Sequence, residues 1–323
     1  MDGAKVAEFW GRGFCLLEGV LDSPELDGVR DVIAASVERR AESLLRKGHI
    51  SDTYPDAPLD ERWSHVARDA IAAGAADAFR HGNWGQSQML DECIYDLLVD
   101  PRLTGIAASV LGEEIVAHGD YWIRPSTKAV AASGVPMHQD TTYYAEELPP
   151  ERAAAMYPPI SAEGVRPPAT LVGGDERMSI TLWIPMVDVN EENGCLRFVE
   201  GSHRLGLLPS RRKPGSASAL EPASPPESFG AIVPVPMRVG DVLVFHHNTM
   251  HGSEGFSRED HVRWSIDLRY GPAAQPFDWH GNTEWEAEWP PFVARSALPE
   301  RVTPWPEWEA KWRTPRHQAA PKL

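Results

Sequence analysis

Three side chains able to bind a metal, His138, Asp140 and His251, carry most of the chemistry that this sequence offers. His138 and Asp140 are separated only by Gln139, and His251 follows in Thr-Met-His-Gly-Ser after an apolar run. Side chains at i and i+2 of an extended strand point to one face, so a strand over 135–140 presents His138 and Asp140 to one ion. Two histidines and one carboxylate, with further coordination positions open, suit non-heme Fe(II) and O₂.

Each of these motifs alone has a simpler explanation. An HxD triplet is frequent by chance, and a turn closed by a hydrogen bond between His138 and Asp140 is its commoner outcome. A single histidine such as His251 is more often a satisfied buried side chain than a metal ligand. The sequence surrounding all three residues favours a metal site.

The elements that position these residues are predicted from hydrophobic periodicity. Apolar residues three or four apart predict helices before Gly11, from Asp22 to Arg46, within 61–80, and over 87–112 with a break at Pro101. An early strand is expected at 14–17. From about residue 115 the period approaches two, and the predicted strands are 116–124, 135–140, 178–187, 195–199, 232–235, 242–247 and 262–270. Helices followed by strands predict an α+β fold, mainly a β core buttressed by N-terminal helices.

One predicted strand has a wholly polar face and a wholly apolar face. Arg263, Ser265, Asp267 and Arg269 alternate with Trp264, Ile266, Leu268 and Tyr270. The inner wall of a barrel around a polar cavity explains this pattern, and a face open to water is the alternative. In the strand at 178–187 the same alternation places Thr181 and Trp183 together, facing that cavity.

Composition limits the classes of partner. The chain has 323 residues, 42% hydrophobic and 24% charged, which predicts a globular protein with a sizeable core. A net charge of −16 argues against nucleic acid and against an anionic membrane. Three scattered cysteines, no signal-peptide pattern and no long apolar run favour a cytoplasmic location. We expect a small-molecule substrate, and the sequence does not indicate the oligomeric state.

Several stretches, in order, resemble the phytanoyl-CoA dioxygenase family of Fe(II)/2-oxoglutarate oxygenases. They are Phe9-Trp-Gly-Arg-Gly-Phe, Met137-His-Gln-Asp-Thr-Thr-Tyr-Tyr, Leu182-Trp-Ile-Pro-Met-Val-Asp-Val-Asn-Glu-Glu-Asn-Gly-Cys-Leu, Glu200-Gly-Ser-His-Arg, Gly240-Asp-Val-Leu-Val-Phe, Thr249-Met-His-Gly-Ser and Arg263-Trp-Ser-Ile-Asp-Leu-Arg-Tyr. The resemblance spans roughly residues 8–272, and 49–85, 144–176 and the region after 272 lie outside its well-matched part.

The resemblance implies a double-stranded β-helix, a cupin-like jelly roll with the metal at its open end. It implies that His138, Asp140 and His251 bind the iron. Arg263 is expected to pair with the far carboxylate of 2-oxoglutarate and Ser265 to assist, because a planar guanidinium fits a carboxylate through two hydrogen bonds.

Other residues near the motifs are weaker candidates. Thr181 is a candidate hydrogen-bond partner of the cosubstrate. Arg124 occupies a position where some relatives place a basic cosubstrate contact, a surface arginine being the alternative. Asp267 with Arg269 is interpreted as a structural ion pair. The remaining histidines near motifs, expected beside the site or at the surface, are His203, His246, His247 and His261.

The implied activity is an Fe(II)- and 2-oxoglutarate-dependent dioxygenase that uses O₂ to hydroxylate an unactivated C–H bond, releasing succinate and CO₂. The expected substrate is a small molecule such as a secondary metabolite or amino-acid derivative. Related halogenases have a small residue where Asp140 stands, so the carboxylate favours hydroxylation, desaturation or cyclisation over halogenation. The alternatives are an acyl-CoA hydroxylase, a non-catalytic jelly-roll binding protein and a zinc hydrolase.

The long loops and the tail are expected to shape the substrate pocket. We expect a single domain over 1–323, made of a helical part (1–112), a jelly-roll core (113–272) and a Trp-rich extension (273–323). Segments 49–90 and 144–176 are candidate lids, and 209–230 is predicted to be irregular. Six of the twelve Trp lie in the extension, which predicts that it packs on the surface or over the mouth of the site.

Overall fold

Two antiparallel β-sheets that face each other organise the fold. The structure, a computed structural model, describes residues 1–79, 84–85, 89–119, 121–131, 134–145, 149–157, 178–214, 220–253, 255, 257–273 and 290–312. Its strands are β1 (Phe14–Leu17), β2 (Trp84–Gly85), β3 (Ile115–Ala117), β4 (Trp122–Thr127), β5 (Val135–His138), β6 (Ile180–Pro185), β7 (Leu196–Val199), β8 (Ser210–Arg212), β9 (Leu220–Pro222), β10 (Ile232–Val235), β11 (Val242–His246), β12 (His251–Ser253), β13 (Val262–Pro272) and β14 (Phe292–Arg295).

The larger sheet has the order β1-β11-β6-β13-β3-β14, with β4 also paired to β13 and β2 to β4. The smaller sheet has the order β10-β7-β12-β5, and β8 pairs with β9 in a separate hairpin. Apolar side chains of both sheets, including Trp183 and Phe245 from the larger and Phe198 from the smaller, form one buried cluster between them. Two facing antiparallel sheets with helices outside confirm the predicted α+β jelly roll.

The outer face of the larger sheet packs against the helices that precede residue 112, and nine α-helices are described in all. They are α1 (Gly3–Arg12), α2 (Asp27–Arg46), α3 (Leu59–Ala72), α4 (Glu92–Val99), α5 (Pro101–Leu111), α6 (Lys128–Ala131), α7 (Asp140–Ala145), α8 (Pro150–Met156) and α9 (Trp305–Trp312). The break predicted at Pro101 separates α4 from α5, and the Asp100 carboxylate caps α5 by accepting from the Arg102 N–H. None of the described helices is long and apolar enough to cross a membrane.

The strand β13 joins the helices to the interior between the sheets. Its apolar residues Trp264, Ile266, Leu268 and Tyr270 belong to the core shared with the helices. Trp264 Nε1 donates to the carbonyl of Leu59, and the Tyr270 hydroxyl donates to the carbonyl of Leu98. These bonds satisfy the polar atoms of two large buried rings, so the strand is held firmly on its outer side.

Three predictions of local structure were wrong. The predicted strand 116–124 is two strands, β3 and β4, because the chain turns between them and buries Tyr121. The predicted strand 135–140 ends at His138, and Asp140 already begins α7. The segment 209–230, predicted to be irregular, contains the β8–β9 hairpin, whose polar strands show no hydrophobic alternation.

The described part of the Trp-rich extension packs against the helical side of the larger sheet. Strand β14 pairs with β3, and Trp308 of α9 is fully buried, with its ring centroid 4.5 Å from that of Phe292 and 6.0 Å from that of Tyr95. Residues 274–289, with Trp279, Trp285 and Trp289, lie outside the described residues, as do 158–177 of the predicted lid.

We predict that Trp308→Ala destabilises the protein by about 3–5 kcal/mol, because it empties a fully buried aromatic site. The variant also removes the hydrogen bond from Trp308 Nε1 to the carbonyl of Pro290. Urea unfolding measures the change. The half-buried Trp305, changed to Ala, is the control and should cost much less. Equal losses for the two variants would contradict the assignment of Trp308 as the residue that anchors α9.

Candidate metal centre

The two predicted histidine ligands lie side by side in the smaller sheet. In the antiparallel pairing of β5 with β12, His138 stands directly opposite His251. Directly opposed residues of such a pair have Cβ atoms about 5 Å apart, close enough for their rings to touch. The two ring centroids are 4.4 Å apart. The sheet therefore brings together two residues that are 113 positions apart in the sequence.

Asp140 completes the cluster from a turn and not from a strand. The chain leaves β5 after His138, and Asp140 is the first residue of α7. Its Oδ1 lies 3.8 Å from Nε2 of His138 and 3.9 Å from Nε2 of His251. One ligand atom from each of the three residues lies within 4.8 Å of the others. The structure thus brings the three predicted residues together, although the reason given by strand alternation was wrong, because Asp140 lies in a helix.

Hydrogen bonds to backbone carbonyls orient both imidazoles. Nδ1 of His138 lies 2.8 Å from the carbonyl oxygen of Pro136, and Nδ1 of His251 lies 2.9 Å from that of Thr249. A carbonyl only accepts, so Nδ1 carries the proton in each ring and Nε2 keeps its lone pair. Both lone pairs belong to the nitrogens beside Asp140, which is the arrangement of metal-binding histidines.

The second oxygen of Asp140 is held by the larger sheet. Its Oδ2 accepts a hydrogen bond of 3.1 Å from the Thr181 hydroxyl and lies 3.7 Å from Nε of Arg269. Burial by itself would raise the pKa of this carboxyl, but Arg269 and the two histidines lower it to about 2. Burial lowers the pKa of His138 to about 3 and also lowers the pKa of His251. All three donors are thus deprotonated near neutral pH, as metal binding requires.

Arg263 is a buried cation whose hydrogen-bond partners among the described residues are neutral groups. It is 1% exposed, donates to the carbonyl of Gly194 at 2.5 Å and to Oγ of Ser126 at 3.0 Å, and forms none of the ion pairs there. Burial lowers its pKa to about 10. Its Nε and the buried Oγ of Ser265 have no hydrogen-bond partner in the described part of the chain. These groups fit the carboxylate of an anionic ligand.

The polar face of β13 is buried, so the alternative of a solvent-facing strand is wrong. Its members Arg263, Ser265, Asp267 and Arg269 are each at most 5% exposed. We had interpreted Asp267 and Arg269 as a structural ion pair, and this interpretation was wrong. Oδ2 of Asp267 accepts from Nε of Arg124 at 2.5 Å, whereas Arg269 points to Asp140. Arg124 is accordingly a half-buried ion-pair partner, not a free surface arginine.

The other four histidines near the motifs are all buried. His247 accepts from the backbone N–H of Ser179, and His246 accepts from that of Asn248. His203 lies 3.0 Å from the carbonyl oxygen of Trp10, and His261 lies 2.9 Å from the Asn193 amide. Burial lowers the pKa of each one. Of the two places expected for them, beside the site or at the surface, the surface is therefore excluded.

Two residues that contact the cluster, Gln139 and Arg269, were missed by the sequence reasoning. Arg269 shares a strand face with Arg263, and this alternation is a signal that could have identified it. Gln139 lies between two ligands and gave no periodic signal. It is 1% exposed and fully engaged with backbone groups.

A jelly roll with two histidines and a carboxylate beside a buried arginine defines an iron- and 2-oxoglutarate-dependent oxygenase. The sequence model of the family described as "Phytanoyl-CoA dioxygenase (PhyH)" matches residues 9–259, and the chain belongs to this family. The predicted family and cofactors, Fe(II), 2-oxoglutarate and O₂, are confirmed.

Two relatives and one solved structure illustrate the similarity. A 1-deoxypentalenic acid 11-beta-hydroxylase of Streptomyces arenae is 26% identical over 85% of this chain and 82% of its own length. A phytanoyl-CoA dioxygenase domain-containing protein 1 of Mus musculus is 33% identical to this chain over an aligned stretch of 123 residues. That stretch covers 35% of this chain and 41% of the relative's length. EctD from S. alaskensis, with a TM-score of 0.50 and 17% identity over 85% of this chain and 77% of its own, shares the fold.

We predict that the metal-free protein loses stability as the pH falls below about 6.5, the pKa of an unfolded histidine. Burial lowers the folded pKa of His138 and His247 to about 3 and that of His203 to about 4. The unfolded chain therefore binds protons that the folded chain excludes, and each such histidine costs about 1.4 kcal/mol per pH unit. Urea unfolding at about pH 7.5 and about pH 5.5 measures the effect. Equal stability at both would show that these rings titrate normally.

Proposed function

We propose that this chain hydroxylates an unactivated C–H bond of a small organic molecule, with release of succinate and CO₂. The observation that carries the proposal is the pairing of two features across the interior. Three deprotonated donors meet where β5, β12 and the start of α7 come together, and a buried arginine without an ion pair among the described residues, Arg263, lies on the larger sheet. The first feature suits iron and the second suits a dicarboxylate cosubstrate.

The roles of the residues follow from their contacts. His138, Asp140 and His251 would hold Fe(II), and the iron with 2-oxoglutarate and O₂ supplies the oxidising chemistry. Asp140 is suited to bind through Oδ1, because Thr181 and Arg269 engage its Oδ2. One oxygen bound in place of two leaves a coordination position open for the cosubstrate or O₂.

The cosubstrate is proposed to lie along the buried face of β13. Arg263 and Ser265 would bind its far carboxylate with the donors that have no partner in the described chain. Arg124 stands opposite Ser265 in the β4–β13 pairing and is proposed as a second cationic contact. For Thr181 the observed bond to Asp140 supports a role in orienting this carboxylate more than a direct cosubstrate contact.

The substrate is proposed to be a small secondary metabolite. The Streptomyces arenae relative, aligned over most of both chains, is named as the hydroxylase of one such molecule. The Asp140 carboxylate occupies the position that a halide needs in related halogenases, which supports hydroxylation. We also propose a single domain, which is supported by the presence of β1 and β14 in one sheet.

The direct test is to incubate the protein with Fe(II), ascorbate and 2-oxoglutarate against a panel of apolar small-molecule carboxylic acids, terpenoids and one acyl-CoA. We expect succinate together with a product heavier by one oxygen atom for a panel member that is not a CoA thioester. Asp140→Ala should abolish both. Oxidation of the acyl-CoA alone would replace the proposed substrate class, and succinate formation by none of the mixtures, including those without substrate, would contradict the oxygenase.

Arg263→Met is predicted to raise the apparent KM for 2-oxoglutarate by at least about 30-fold, because it removes a buried partner of a carboxylate. Arg295→Met is the matched control, since Arg295 lies at the end of β14 and pairs with Glu113 at the surface. The control should keep the wild-type KM. Initial rates of succinate formation at varied 2-oxoglutarate measure both. An unchanged KM for Arg263→Met would assign the anchor to Arg124 or Arg269.

A further inference from the structure

Gln139 stands between the ligands His138 and Asp140 in the sequence, and its side chain makes three hydrogen bonds to backbone groups. Gln139 donates through Nε2 to the carbonyl oxygens of Gly206 at 2.8 Å and Asn248 at 2.6 Å. Its Oε1 accepts from the N–H of Leu208 at 2.7 Å. Both amide protons and the oxygen of this 1%-exposed side chain are thus engaged.

The partners of Gln139 belong to two different functional segments. Asn248 lies in the turn between β11 and β12, three residues before the ligand His251. Gly206 and Leu208 precede β8, so they form the root of the β8–β9 hairpin. One amide therefore connects the segment 138–140, the segment that delivers the second histidine, and the hairpin.

Tyr143 connects β9, the other strand of this hairpin, to the ligand His138. The ring of Tyr143 meets that of His138 edge-on, with centroids 5.4 Å apart. The Tyr143 hydroxyl accepts from the N–H of Leu220, the first residue of β9, at 3.4 Å. A cavity of about 10 Å³, room for about one water molecule, lies between the Gln139 and Tyr143 contacts. It is lined by His138, Gln139, Leu208, Leu220 and Met250.

We infer that Gln139 is a positioning residue that keeps the two metal-binding segments in register and couples metal binding to the β8–β9 hairpin. Coupling is reciprocal: if metal binding tightens the hairpin, a molecule that contacts the hairpin changes the metal centre equally. This inference rests on the metal centre of the proposed function.

The test uses Co(II) as a probe of the purified protein, with its visible absorption spectrum as the readout of ligand geometry. Gln139→Met keeps the volume of the side chain and removes all three hydrogen bonds. We expect it to bind Co(II) at least about 10-fold more weakly than wild type, with an altered spectrum, because partners of metal ligands tune affinity by this amount.

The matched control is Asn193→Leu. Asn193 is likewise a buried amide, 2% exposed, that bonds backbone groups of Asp188 and Asn190, but it contacts neither ligand segment. It should lower the thermal unfolding temperature and keep the wild-type Co(II) affinity and spectrum. If Gln139→Met behaves in the same way, Gln139 only supports the fold and the inference is overturned.

Hydrogen exchange in the wild-type protein keeps the inference testable if Gln139→Met does not fold. Co(II) should slow exchange of the backbone amides of Leu208 and Leu220. In a folded Gln139→Met the effect at Leu208 should disappear, whereas Leu220 keeps its contact with Tyr143. Wild-type exchange that does not respond to Co(II) would overturn the coupling. Failure of the wild-type protein to bind Co(II) at all would instead contradict the metal centre on which the proposed function depends.

Discussion

The pairing of β5 with β12 is the constraint on which the site depends, because it alone places His138 opposite His251. Among the described strands, β5 is at the edge of its sheet and pairs only with β12, while β9 lies near it without pairing. Gly252, directly after the second ligand, allows β5 to come close. A Cβ at Gly252 would meet the carbonyl oxygen of Val135 at 2.7 Å and Sδ of Met137 at 3.0 Å. The lack of a side chain at Gly252 therefore allows the close approach of β5 that keeps the two imidazoles in contact.

The two sheets make different contributions to the centre. The smaller sheet and the turn after it supply the neutral imidazoles and the carboxylate, and the larger sheet supplies the hydroxyl of Thr181 and the guanidinium groups. Positive charge on the facing wall holds the pKa of Asp140 low in a buried place. The same wall leaves Arg263 without an ion pair in the described chain, so the interior offers donors for a cation on one side and a guanidinium for an anion on the other.

Much of this arrangement could be predicted from the sequence, because local alternation determines which side of a strand faces inward. The two faces of β13, the inward direction of Thr181 and the grouping of the three ligands were all predicted correctly. The helical start at Asp140 was missed, because a strand pattern does not reveal where the chain turns. Strand alternation placed Arg269 on the inner face but could not show that it contacts Asp140. The contacts of Gln139 join segments far apart in the sequence, and no local pattern encodes such pairs.

X-ray absorption at the iron edge of the anaerobic Fe(II) protein tests the central claim most directly. The fine structure of this spectrum reports the number of imidazoles bound to the metal. We predict two for the wild-type protein and one for His251→Ala, with 2-oxoglutarate adding oxygen ligands without displacing either ring. A spectrum with no imidazole bound to iron, or one unchanged by His251→Ala, would contradict the account.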